Sequence, residues 1–177
     1  MNNLKNQSIK IRKWSPSDAP ALAEALNNRR VLDNLRDGIP YPYTEDDARD
    51  YISAMLSSDL NDTFSFAITV DDVTVGCISA FRQNNIHNRT AEMGYYLDEK
   101  YWGRGIMTVA VFLLCDYVFT RSDIVRIYAE PFSTNIPSCR VLEKAGFTCE
   151  ATLRDSAFKD NRLLDQKLYA ILSPTIS

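Results

Sequence analysis

Histidine is almost missing from this 177-residue chain, with His87 the single example. A Ser-His-Asp or Cys-His nucleophilic centre would have to be built on that one residue, inside the turn-like run Asn84 to Asn88. The four cysteines, at 77, 115, 139 and 149, form no Cys-x-x-Cys pair, which argues against a zinc site or a disulfide framework. Cys77 and Cys115 sit inside apolar patterns and read as small buried hydrophobes. No metal is expected. The longest unbroken apolar run is Val109 to Cys115, far short of the ~20 residues of a membrane span. No membrane partner is expected either. A basic excess is also lacking: 20 Lys and Arg face 23 Asp and Glu, for a net charge of −3. The densest positive cluster, Lys10, Arg12 and Lys13 with Arg29 and Arg30, reads as solvated surface, so nucleic acid is not an expected partner. Met1 to Asn6 lack the apolar core of a signal peptide, and a cytoplasmic location is expected.

What remains is ordinary globular composition, 45% hydrophobic and 24% charged, which excludes intrinsic disorder. Length and the lack of repeats suit a single domain over residues 1–177, with its core at about 8–172. Ser8 to Trp14 alternates as a strand. Ser15 to Asp18 opens a helix reaching about Asn28, and Asp33 to Tyr43, with Gly38, Pro40 and Pro42, is a loop. Thr44 and Asp47 have capping-box spacing ahead of a helix to about Ser57. Thr63–Val70 and Val73–Arg82 flank Asp71-Asp72 as a hairpin, and Thr90 to Leu97 returns as a third antiparallel strand. A long helix to about Thr120, apolar nearly all round, reads as buried. A strand Ile124–Glu130, a helix Asn135–Ala145 stopped by Gly146, and strands Phe147–Leu153 and Arg162–Leu172 complete the chain. The order is mixed α/β, with about four helices.

The most informative segment runs from Gly94 through Tyr101-Trp102-Gly103-Arg104-Gly105 into that long helix. The first-turn N–H groups of a helix have no internal partners and carry its positive dipole end. Glycines let the backbone approach an anion, so the loop reads as a diphosphate cradle to which Arg104 adds charge, although a plain helix start has the same residues. Two common phosphate motifs do not fit. Gly-Lys-Ser/Thr is absent, and Gly-x-Gly-x-x-Gly would need glycine at Thr108.

At these residues the chain resembles the GNAT superfamily of acetyl-CoA-dependent N-acyltransferases, in the branch of Rim-type ribosomal-protein N-terminal acetyltransferases. The resemblance covers nearly the whole chain. It rests on Ala91 to Leu97, on Tyr101 to Gly105, and on Asn135 to Phe147, which is similar to that branch's Asn-x-x-Ser…Glu-Lys-x-Gly-Phe signature. The implied fold is a central mixed, largely antiparallel sheet of about seven strands, splayed between the fourth and fifth. The implied activity is acetyl transfer from acetyl-CoA to a primary amine, by direct attack in a ternary complex.

The same resemblance implies the site. The diphosphate rests on Gly103 to Thr108, including Arg104, Gly105, Ile106 and Met107, with Tyr101 and Trp102 beside it. The pantetheine arm lies along Tyr95, Tyr96 and Leu97 and is held by Asn135. Ser138 lies near the sulfur as a proton donor; the bland alternative is an N-cap at Asn135 and a packing serine. Trp102 and Met107 depart from the family's phosphate-loop pattern, and Met107 puts the coenzyme fit in question. Leu142 stands where many members carry tyrosine, and Ala157 where some of the branch carry glutamate. Glu92 is then the remaining general-base candidate, with Asp155 a weaker one and a structural ion pair as Glu92's other reading. Arg36, Tyr41, Tyr43 and Phe158 are expected around the acceptor, Arg36 to meet a carboxylate. The rival reading is a catalytically weak acyl-CoA-binding or sensing module; a further one is an unrelated α/β domain. The acceptor's identity and the choice of monomer or homodimer stay open.

Overall fold

A computed structural model describes residues 8–174 of the chain, so the reading of Met1 to Asn6 lies outside the described residues. The strands are β1 (Ile9–Arg12), β2 (Thr63–Val70), β3 (Val73–Arg82), β4 (Thr90–Leu97), β5 (Arg126–Ala129), β6 (Thr148–Lys159) and β7 (Arg162–Leu172). The α-helices are α1 (Ala19–Leu26), α2 (Arg29–Leu32), α3 (Glu45–Ser57), α4 (Ile106–Arg121) and α5 (Ile136–Lys144). Together the strands form one sheet in the order β1-β2-β3-β4-β5-β7-β6. Every neighbouring pair is antiparallel except β4 with β5, which is parallel.

Strand alternation decides which layer each side chain joins. On one face Phe64, Phe66, Ile68, Ile78, Ala91, Met93 and Ile127 pack with α4 and α5. On the other face Ala67 and Cys77 pack beneath α1, α2 and α3, with Leu22, Leu26, Val31, Ala48 and Ile52. The capping box expected at Thr44 forms: Asp47 N–H donates to Thr44 Oγ1 at 3.1 Å, and Thr44 N–H donates back to Asp47 Oδ2 at 2.8 Å.

Four local readings change. Asn28 does not end a long first helix; its Oδ1 accepts from Arg30 N–H at 2.9 Å and starts α2, making five helices rather than about four. Helix α4 is not buried all round, since Phe112 and Leu113 face outward while Ile106, Met107, Ala110, Val111 and Leu114 face the core. Strand β5 is shorter than Ile124–Glu130. Strand β6 runs on to Lys159 because a bulge between Leu153 and Ala157, with Asp155 at φ +50°, absorbs the irregular stretch that interrupts its alternation.

Candidate active site

The parallel pairing of β4 and β5 is short. It holds Thr90 against Arg126, Ala91 against Ile127 and Glu92 against Tyr128, and no further, while β4 stays paired with β3 as far as Leu97. Beyond Glu92 the two strands part, as expected of strands four and five. Backbone parity then identifies the groups at the open edge. Gln83 N–H donates to Thr90 O, and Asp98 N–H donates to Val75 O, so even-numbered residues of β4 turn their peptide groups toward β3. Arg89 O accepts from Val125 N–H, so odd-numbered residues turn theirs toward β5. Met93, Tyr95 and Leu97 therefore present main-chain groups to the seam, where β5 offers no ladder partner. Leu97 O is taken by the indole of Trp102, whose Nε1 donates to it at 3.0 Å.

That indole pins the glycine loop against the end of the seam. Gly103 and Gly105 have φ of +73° and +74°, left-handed conformations that glycine adopts without strain. Gly105 is the N-cap of α4, no side chain caps the helix, and its first turn holds no acidic residue to neutralise the dipole. A Cβ added at Gly103 would meet nothing within 4 Å, so the loop is an open cradle. Arg104 folds back onto its own loop, donating to Lys100 O at 2.7 Å, with its guanidinium 5.3 Å from the Tyr101 ring centroid. Ile106 and Met107 point into the core, and Thr108 is half-buried. The bulk of Met107 is thus absorbed by packing, away from the main-chain N–H groups of the cradle. A diphosphate fits this arrangement, and a long thin ligand fits the edge beyond it.

Helix α5 forms the other wall. Asn135 caps it, its Oδ1 accepting from Ser138 N–H at 3.2 Å, which leaves the amide nitrogen of Asn135 for a ligand. Tyr95 lies on the α5 side of β4 and reaches Ser138, phenol oxygen to Oγ at 2.8 Å. Tyr96, one residue on, turns to the opposite face, and burial pushes its phenol well above the usual range. Leu142 is fully buried in the α5-side core. A tyrosine there would have no open space to enter.

On the opposite face of the sheet, Glu92 is ion-paired with Arg36, and the same guanidinium lies 3.7 Å from Glu130 at the end of β5. Glu130 is the group the sequence reading missed. Burial first, and the neighbouring charge of Glu92 second, raise its carboxyl above the usual carboxylate range, against the pull of Arg36. Period-two alternation from Tyr128 was the available signal. Arg36 is therefore already held by two carboxylates rather than waiting for one. Tyr41 is exposed, with the Arg29 guanidinium 4.0 Å over its ring, and Phe158 is exposed on β6. The loop and the β6–β7 hairpin meet through Lys159 and Asp37 at 2.9 Å. Tyr43 is a correction: it is buried in the cluster under α1 and α3, its N–H donating to Asn27 Oδ1 at 2.8 Å, and it packs rather than lines a surface. Asp155 sits on the exposed bulge of β6, its N–H donating to Asp165 Oδ1 at 2.9 Å.

Comparison with known proteins bears on this geometry. Residues 8–148 match the family model described as an acetyltransferase (GNAT) domain. The chain is 38% identical over 119 residues to "Probable N-acetyltransferase YjcK" of Bacillus subtilis (strain 168), covering 67% of this chain and 66% of that protein. It is 30% identical over 176 residues to "Uncharacterized N-acetyltransferase p20" of Bacillus licheniformis, covering 97% of each. The structure also superposes, with a TM-score of 0.83 and 24% identity over 93% of this chain and 94% of the other, on RimL, a ribosomal L7/L12 alpha-N-protein acetyltransferase solved in complex with coenzyme A. Among the described residues, no helix is long and apolar enough to cross a membrane. The family match over residues 8–148, together with similarity to a curated N-acetyltransferase along nearly the whole chain, makes the chain a member of the GNAT family of acetyl-CoA-dependent N-acetyltransferases.

Proposed function

We propose that this enzyme acetylates a primary amine, either a protein N-terminus or a small amine, by direct attack within a ternary complex. The observation that carries the reading is the β4 edge from Met93 to Leu97, left without a β5 partner and ending at the uncapped N-terminus of α4. Acetyl-CoA supplies the activated acetyl group. The main-chain N–H groups from Gly103 to Thr108 would hold its diphosphate, aided by Arg104. The Tyr95–Leu97 edge and the Asn135 amide would hold the pantetheine arm. A seam-facing N–H of β4 would stabilise charge on the carbonyl oxygen, a contribution of about 3 kcal/mol in comparable sites. Ser138 would protonate the departing sulfur.

Proton acceptance falls to the carboxylates on the opposite face. Glu92 is expected as base, and Glu130, whose carboxyl burial raises above its ordinary value, shares that role in this proposal. An α-amine of pKa 7.7–8.0 is roughly a quarter neutral at pH 7.4, whereas a lysine amine near 10.4 is about one part in a thousand neutral. A weak carboxylate base therefore favours an α-amine or another amine of low pKa. The structural neighbour RimL, named for α-N-protein acetylation, agrees with that preference. Arg36, Tyr41 and Phe158 would border the acceptor. Four free cysteines suit a reducing compartment, which supports a cytoplasmic location.

Thermal unfolding with acetyl-CoA, desulfo-CoA and ATP tests the coenzyme site. Binding to the native state alone adds ~2.7 kcal/mol at a hundredfold Kd. A rise in Tm with acetyl-CoA but not ATP, followed by turnover in an amine panel, is expected. No rise at millimolar acetyl-CoA would remove the reading, and binding without turnover on any amine would reduce the protein to an acyl-CoA sensor.

A further inference from the structure

The phenol of Tyr95 belongs to none of the roles assigned so far, which use only its main chain. It crosses from β4 to the first turn of α5 and meets Ser138 twice: Oγ at 2.8 Å and the carbonyl oxygen at 3.4 Å. We propose that Tyr95 is a positioning residue that aims the Ser138 hydroxyl into the seam. The inference rests on the reading of Ser138 as the proton donor to sulfur.

A serine hydroxyl carries one proton and two lone pairs, and its rotor is free to turn. In the first turn of a helix such a hydroxyl is drawn toward nearby main-chain carbonyls, which would point its proton away from any ligand. The Ser138 main chain is fixed by the Asn135 cap. Its side chain is fixed by Tyr95. The phenol has a single proton; given to Ser138 Oγ, the shorter contact at 2.8 Å, rather than to the carbonyl at 3.4 Å, it uses a lone pair of Oγ and leaves the Ser138 proton for the open edge. For this the phenol must stay protonated, and burial raises its pKa well above the usual tyrosine range despite the opposing bond to Ser138. In the balanced step, the C–N bond forms as the C–S bond breaks. Sulfur takes the electron pair and the Ser138 proton, while the proton lost by the amine passes to the Glu92 and Glu130 carboxylates and from them through water back to Ser138.

The test is a double-mutant cycle of Tyr95→Phe and Ser138→Ala, read as kcat, acetyl-CoA Kd and Tm. Phenylalanine keeps the ring that packs on the α5-side core, so Tm and Kd should stay near wild type. One hydrogen bond of typical strength corresponds to roughly a tenfold loss of kcat. The double variant should be no slower than Ser138→Ala alone, because Tyr95 acts through Ser138. If Ser138→Ala keeps wild-type kcat, the reading of Ser138 fails and this inference with it. If Ser138→Ala is slow but Tyr95→Phe is not, or if the two losses multiply, only the inference is overturned. A second measurement needs no acceptor: in Ser138→Cys the new thiol is titrated by its iodoacetamide rate against pH, resolved by tandem mass spectrometry. Adding Tyr95→Phe should raise that thiol's pKa by about one unit, the loss of one hydrogen bond to the thiolate. An unchanged pKa would overturn the proposal.

Discussion

Gly76 lies within β3, opposite Leu97 at the end of β4. No left-handed backbone requires glycine there; the requirement is steric. A Cβ at this position would lie 2.3 Å from Tyr96 O, 2.9 Å from Leu97 Cδ2 and 3.0 Å from Leu97 Cα. Ordinary contact begins near 3.4 Å, so in Gly76→Ala the β4 backbone must retreat by about 1 Å. A main-chain oxygen has no rotamer to escape into. The retreat strains the ladder where Cys77 meets Tyr96 and Gly76 meets Leu97, at ~1 kcal/mol for each hydrogen bond lost. Overpacking adds ~1–3 kcal/mol. A loss of ~3 kcal/mol is expected, or ~6–12 °C in Tm for a chain of this size. Because Tyr95 and Leu97 shift with Tyr96, acetyl-CoA affinity should fall as well. Urea unfolding gives the first quantity and calorimetric titration with acetyl-CoA the second. Gly103→Ala is the contrast: its Cβ enters open space, so it bears a left-handed strain of ~1–2 kcal/mol without moving β4. A Gly76→Ala protein within ~1 kcal/mol of wild type, binding acetyl-CoA unchanged, would refute the claim that the close approach of β3 and β4 shapes the seam.

Asp18 is buried and accepts from both terminal guanidinium nitrogens of Arg12 at 2.7 and 2.8 Å, from the Thr74 hydroxyl at 2.6 Å and from Ser15 N–H at 2.8 Å. Burial alone would raise its pKa, but the bonds from Arg12, Thr74 and Ser15 together outweigh it and hold the carboxyl below the usual range. Asp18→Asn should cost ~2–3 kcal/mol at neutral pH. Since the folded value is the lower one, that stability is present above the ordinary pKa of ~3.9 and fades as pH falls through the folded value. Melts from pH 7 to 3 should show the gap between the two proteins constant, then closing only below about pH 4. Glu130→Gln should remove an acidic limb of the kcat/KM profile that lies above the usual carboxylate range, leaving the acceptor amine's own ionisation; an unchanged profile would take Glu130 out of proton transfer. Leu142→Tyr, which enters a fully buried site, should lower the unfolding free energy by ~1–3 kcal/mol and leave kcat no higher.

Much of the architecture was legible because hydrophobic period and turn chemistry agreed. The hairpin bounds at Asp71-Asp72, the Thr44 capping box and the strand Thr90–Leu97 each followed from residues whose local preference matches their fate. Where the reading slipped, a local pattern was overruled by something non-local. An all-round apolar α4 looks buried until Phe112 and Leu113 prove to lie on its outward face. The bulge at Asp155 lets β6 continue through residues that break its alternation. Gly76 carries no signal as one glycine in a strand, because its reason lies on the neighbouring strand.

The site divides along the same line. The cradle was legible because it is made of contiguous main chain: two glycines followed at once by a helix state both the geometry and the charge. Of the groups proposed to handle protons, Glu92 and Ser138 were readable singly, but their partners Glu130 and the Tyr95 phenol were not, because each pair is assembled across a register. Glu92 and Glu130 stand 38 positions apart and come together through the pairing of Glu92 with Tyr128, which places them on one face with Arg36 between them. Tyr95 and Ser138 are separated by 43 residues and meet only because β4 and β5 part, letting α5 approach the open edge. Leu142, where the family resemblance implies tyrosine in many relatives, therefore reads differently in three dimensions. A phenol stands at the first turn of α5 after all, supplied by the opposite wall of the seam, and Leu142 is free to complete the core.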